Sequence, residues 1–163
     1  MQGTTTDGSR LTHYDPDFSL VPPAGLYYSQ DVQQGYLQIP YYFALYEGDN
    51  IPMDISVISG PSEGLGWEGT ILNFKQGLRQ GVEIMGAGLD ITQEGYMTTS
   101  NGLRMYAIEA NVIDSLTGRT YAQTHIYLDE GEDYMLAFAF STSAGYEGYV
   151  TDYQNMLDSV IVY

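Results

Sequence analysis

The chain has 163 residues, 44% apolar and 13% aromatic, a composition and length that fold into a domain with a real core and argue against disorder. Twenty-one acidic residues against five basic ones give a formal charge of −16, a field that disfavours nucleic acid and anionic membrane surfaces. Cysteine is absent, so there is no disulfide, thiolate metal site or cysteine nucleophile, and no run approaches the ~20 apolar residues of a membrane span.

Residues 1–13 are polar and are expected to be a flexible segment, with residues 14–163 forming one domain. The Thr/Gly/Ser stretch at Gly3–Ser9 resembles the tether left after a cleaved leader, which would place the protein outside the cytoplasm. If Met1 is the native start, the lack of a basic and apolar leader places it in the cytoplasm instead. Phe18–Val21 reads as a short extended run, stopped by the turn-forming Pro22-Pro23-Ala24-Gly25. Leu26–Val32 and Tyr36–Tyr46 are the next strands, and Pro40 marks an edge strand or a bulge. After the turn Gly48-Asp49-Asn50, the alternation of Met53, Ile55 and Val57 with Asp54, Ser56 and Ile58 completes a hairpin.

At Trp67 the period changes. Trp67, Ile71, Phe74, Leu78 and Val82 make one stripe of a helix that contains Gly69, Gly77 and Gly81. Each glycine costs about 1 kcal/mol against alanine in a helix interior; close approach of the helix to a sheet would account for them. Leu89–Ser100 reads as one strand with Gly95 as a bulge or turn. Gly102–Asp114, Gly118–Asp129 and Glu132–Ser141 then form a meander, since connections of two and three residues permit only antiparallel pairs. A second helix fits Gly148–Ser159, with Tyr149, Tyr153, Met156 and Val160 on one stripe.

Gly60-Pro61-Ser62-Glu63-Gly64 is a literal G-x-S-x-G between strand and helix, the setting of a nucleophile elbow. His125 would be its base, with Asp90 or Asp114 as the third member. The antiparallel strands that follow contradict the parallel crossovers such a fold requires, and the competing reading is a Gly/Pro turn. The acidic turn Asp129-Glu130-Gly131-Glu132-Asp133 could meet a hard cation but lacks the spacing of a calcium loop. Two histidines without cysteine make no typical zinc site, and Lys75 as the sole lysine leaves no phosphate loop; no cofactor is expected. Tyr27, Tyr28, Tyr36, Tyr41, Tyr42 and Tyr46 are the candidate contact surface, because tyrosine offers rigid amphipathic area.

The opening F-x-L-x-P-P-A-G of Phe18–Gly25, the order hairpin, helix, meander, helix, and the closing Leu157-Asp158-Ser159-Val160 resemble the Mog1/PsbP-like fold, including bacterial DcrB- and DUF1795-type proteins. The resemblance implies an α+β domain, an antiparallel sheet sandwiched by helices. It also implies a non-catalytic binding or accessory module with a protein partner, of the kind found in extracytoplasmic bacterial lipoproteins. A cytoplasmic adaptor or chaperone for a secreted effector is the alternative within that fold, and a small serine hydrolase using Ser62 is the alternative outside it.

Overall fold

The computed structural model describes residues 4–35, 37–84 and 86–163. Most of them enter one antiparallel sheet. Its strands are β1 (Thr4–Thr5), β4 (Tyr27–Gln34), β5 (Leu37–Glu47), β6 (Asn50–Pro61), β7 (Gly88–Thr98), β8 (Arg104–Ile113), β9 (Arg119–Asp129) and β10 (Tyr134–Ser143). They lie in the order β1-β4-β5-β6-β10-β9-β8-β7, and every pair is antiparallel. The hairpin and the meander thus meet through β6 and β10, where Val57 faces Phe138 and Ile55 faces Phe140. Pairing between β5 and β6 slips between Gln38 and Tyr41, so Pro40, which has no N–H to give, sits at an irregularity. In β7 the irregularity falls between Ile91 and Gln93; Gly95 pairs regularly with Ala107, so the bulge or turn expected at the glycine is replaced by an irregularity two to four residues earlier in the strand.

A second, small sheet joins β2 (Leu11–His13), β3 (Phe18–Leu20) and β11 (Ile161–Val162), bringing the two ends of the chain together. The segment expected to be loose is therefore anchored from Thr4 onward. Thr6 donates its backbone N–H to the Leu26 carbonyl at 2.7 Å, and His13 is buried with its Nε2 2.7 Å from Asp31. Polar residues hid this because the anchors are backbone pairs, which composition does not report.

The main core joins Phe18 and Leu20 of β3 to Tyr41, Phe43, Met53, Ile55, Val57, Leu136, Phe138 and Phe140 of the sheet. It is closed by Tyr153, Met156 and Leu157 of helix α2 (Tyr149–Ser159). A smaller cluster forms from Leu128, Met135 and Ala137, against which Trp67 and Phe74 of helix α1 (Gly66–Ile84) pack. Because residues alternate along a strand, Leu136 and Phe138 look to the first cluster while Met135 and Ala137 look to the second. The apolar sets of the meander strands do not share a face. Ile126 is paired with Ala137, whereas Phe138 is paired with His125.

Two of the three helix glycines do not mark close packing. A β-carbon at Gly77 or Gly81 would meet no atom of the described residues within 4 Å, whereas one at Gly69 would come within 2.8 Å of the Leu65 β-carbon at the start of the helix, a local contact and not an approach to the sheet. Gly77→Ala and Gly81→Ala are each expected to raise stability by about 1 kcal/mol, measured by denaturant unfolding. A loss at either site would mean that the glycine supplies something packing does not show.

Candidate functional site

Ser62 leaves the end of β6 with its hydroxyl donating to Asp133 Oδ1 at 2.5 Å and its N–H donating to the Asp133 carbonyl at 3.0 Å. The Gly64 N–H donates to the same carboxylate oxygen at 2.8 Å. These donors favour the ionised form and hold the Asp133 carboxyl below its usual range, the serine first and the amide second. The arrangement staples the G-x-S-x-G loop to the turn between β9 and β10. It occupies the hydroxyl that a nucleophile would need free.

His125 is elsewhere. It pairs with Phe138 while Pro61 pairs with Tyr134, four residues away along β10, about 14 Å at strand rise. Its Nδ1 lies 2.8 Å from the Tyr153 hydroxyl, which itself donates to the Phe138 carbonyl at 2.8 Å. A hydroxyl has one proton, and the carbonyl takes it, so Nδ1 must donate and the imidazole is the neutral Nδ1–H tautomer. Burial pushes its pKa down to about 4. Asp114, offered as a third member, caps its own turn by accepting from the Leu116 and Thr117 amides. The elbow, base and acid expected from the sequence are not brought together.

The acidic turn is wired internally: Asp129 Oδ1 accepts the Glu132 N–H at 2.9 Å, and Asp133 is taken by Ser62 and Gly64. No group of three or more His, Asp or Glu side chains suited to a metal occurs among the described residues. Beside the turn lies an acidic cleft of about 630 Å³ that includes Asp15, Asp17, Asp129, Glu132 and Tyr134.

The candidate tyrosines divide between the faces of the sheet. Tyr41 is 0% exposed, stacked at 5.7 Å on Phe43 and edge-on to Phe18, so it belongs to the core and cannot be a contact residue. Tyr28 leans on Phe43 on the same face. Tyr27 and Tyr46 meet edge-to-face at 5.5 Å, and Tyr42 lies on their face of β5, all three half-buried. Tyr36 lies outside the described residues.

A polar network that motif reading missed runs along the tyrosine face. Tyr42 donates to Asp54 Oδ2 at 2.9 Å, and Ser141 Oγ donates to Asp54 Oδ1 at 2.9 Å. The Arg119 guanidinium donates to the Ser141 and Ile51 carbonyls and approaches Asp54 at 3.4 Å. Burial, then the Asp54 carboxylate, pushes the Tyr42 phenol well up. The only signal was the scarcity of bases: an arginine at a strand start among five cations has a structural partner to find. Arg119→Met is expected to cost about 2 kcal/mol in urea unfolding, since it removes the cation beside a half-buried carboxylate and the donor to two carbonyls.

Helix α1 is fastened on one side. Arg104 stacks over Trp67 at 5.1 Å and Tyr96 at 4.2 Å, and Lys75 pairs with Glu94 at 2.7 Å, which also accepts from Tyr106. On its other side a cleft of about 490 Å³ opens between the helix and Leu37, Ile58, Pro61 and Met135.

The chain matches no protein-family model and no curated protein sequence. Among solved structures it is similar to the solution structure of cyanobacterial PsbP (CyanoP) from Synechocystis sp. PCC 6803. The TM-score is 0.70 at 13% identity, over 95% of this chain and 92% of that one. At that identity the likeness carries the fold: an α+β architecture built on an antiparallel sheet.

Proposed function

We propose that this protein is a non-catalytic accessory module that works by binding another protein, and that it acts outside the cytoplasm. The observation that carries this reading is the state of the reactive groups: Ser62, His125 and Asp133 are each held in structural hydrogen bonds, and Ser62 and His125 stand far apart. The PsbP-like fold supports it as an analogy of architecture. We place the chain with the bacterial DcrB/DUF1795-type members, as a single domain with α2 and α1 as the outer layers of a sandwich. The contact surface is the face bearing Tyr27, Tyr42 and Tyr46, where aromatic rings lie beside a fixed polar network.

The test is capture from envelope and cytosol fractions of the source organism, with wild type beside Tyr27→Ala and Tyr46→Ala. A partner from the envelope fraction that both substitutions weaken about tenfold supports the reading; a partner indifferent to both overturns the assigned surface. In parallel, a fluorophosphonate probe is expected to leave Ser62 unlabelled. Labelling abolished by Ser62→Ala would make the protein a serine hydrolase.

A further inference from the structure

We infer that the cleft beneath α1 is a binding site for an uncharged, carbonyl-bearing hydrocarbon. Three independent features converge there. The first is backbone: Gly77 and Gly81 line the cleft, and a β-carbon at either position would meet no atom of the described residues within 4 Å. Glycine is a poor helix residue, no packing requires it here, and its effect is to keep this wall of the cleft cut back.

The second is an orphaned polar group. Thr70, which also lines the cleft, is 6% exposed, and its hydroxyl has no hydrogen-bond partner among the described residues. Buried hydroxyls are normally satisfied, and a helix allows threonine two side-chain rotamers, so this one can turn to meet an incoming acceptor. A hydroxyl both donates and accepts, and a carbonyl oxygen is the group that suits an apolar cleft best, because it takes the Thr70 proton and brings no donor of its own to satisfy.

The third is the character of the walls. Leu37, Ile58, Phe74, Leu78, Val82 and Met135 provide apolar surface, and at about 490 Å³ the space falls within the size range of small-molecule sites. Among the described residues no Lys or Arg lines it, while Glu63 does. In a chain of formal charge −16 this disfavours a carboxylate or phosphate headgroup, and among headgroups that bring a carbonyl to Thr70 it leaves the uncharged ones. The site is separate from the tyrosine face and does not depend on a protein partner.

The experiment compares methyl octanoate with octanoate, the same chain with and without charge, by amide chemical shifts of the ¹⁵N-labelled protein. The ester is expected to shift the Thr70, Gly77 and Gly81 amides saturably, and octanoate to bind at least tenfold more weakly. The Gly77→Ala/Gly81→Ala variant is expected to melt higher than wild type and to bind the ester at least tenfold more weakly. Thr70→Val is expected to weaken the ester several-fold. An ester that leaves these amides unmoved up to its solubility limit overturns the site. So does an alanine variant that binds it unchanged. Equal binding of octanoate and its ester overturns the assignment to an uncharged ligand.

Discussion

Phe138→Ala is expected to cost about 4 kcal/mol, the middle of the range for removing a buried aromatic ring. For a chain of this length that is a fall of about 10 °C in melting temperature. Phe138 is 0% exposed, sits on the strand where hairpin and meander join, and faces Val57 on one neighbour and His125 on the other. Its carbonyl anchors the Tyr153 hydroxyl, so the ring lies where α2 is pinned to the sheet. The comparison is Leu72→Ala on α1, where the side chain is 57% exposed and the change should stay within about 0.5 kcal/mol. Thermal and urea unfolding of both variants measure this. A comparable loss at the two sites would mean that burial in the main core does not set the cost of truncation, contrary to the place of Phe138 in that cluster and of Leu72 outside it.

The second large effect is acid sensitivity from one histidine. Burial lowers the His125 pKa to about 4, against an ordinary value near 6.5, so the native state keeps it neutral where the unfolded chain protonates it. Between those two values the unfolded state binds more protons, and stability therefore falls as pH falls from about 6.5 to about 4. The slope approaches 1.4 kcal/mol per pH unit, and the whole loss is on the order of 3 kcal/mol. His125→Gln keeps a donor for the Tyr153 hydroxyl and removes the titration. The variant's stability should therefore be flatter across that window, the difference between the two proteins reading His125 alone because both share the same acidic surface. Parallel curves for the two would show that the burial of this imidazole is not what the fold resists in acid. Below the window a separate loss begins: donors hold Asp133 and Asp114 low, and their contribution, present above about pH 4, disappears as they protonate. At the alkaline end Tyr106 and Tyr134, raised to about 12 chiefly by burial, stay neutral in the fold, so stability drops as pH climbs from 10 toward 12.

The order of elements was legible because it rests on local periodicity. Alternation in Pro52–Ser59 and in Glu132–Ser141, the helical stripe of Trp67, Ile71 and Phe74, and the turns of two and three residues all act over a few neighbours. Those features predicted the β6 and β10 strands, α1, α2 and the antiparallel sense of the meander, and the structure places them there. Even Pro40 announced its irregularity, since a missing N–H is a property of the residue itself.

What the tertiary structure decided is which side each alternating set turns toward. Period-2 patterning states that Tyr41 and Tyr42 look opposite ways, but not which way is inward; packing against Phe18 sends Tyr41 into the core and leaves Tyr42 to Asp54. The same undetermined choice puts the apolar sets of β9 and β10 on different faces and brings His125 to Tyr153 rather than to Ser62. The anchoring of residues 4–13 depends on β4 and on β3, which in turn pairs with the last residues of the chain, a separation no local pattern encodes. The cleft under α1 is the clearest case. Gly77 and Gly81 were visible in the sequence as a cost, but whether a glycine admits a neighbouring strand or empty space is settled only when the neighbours are placed.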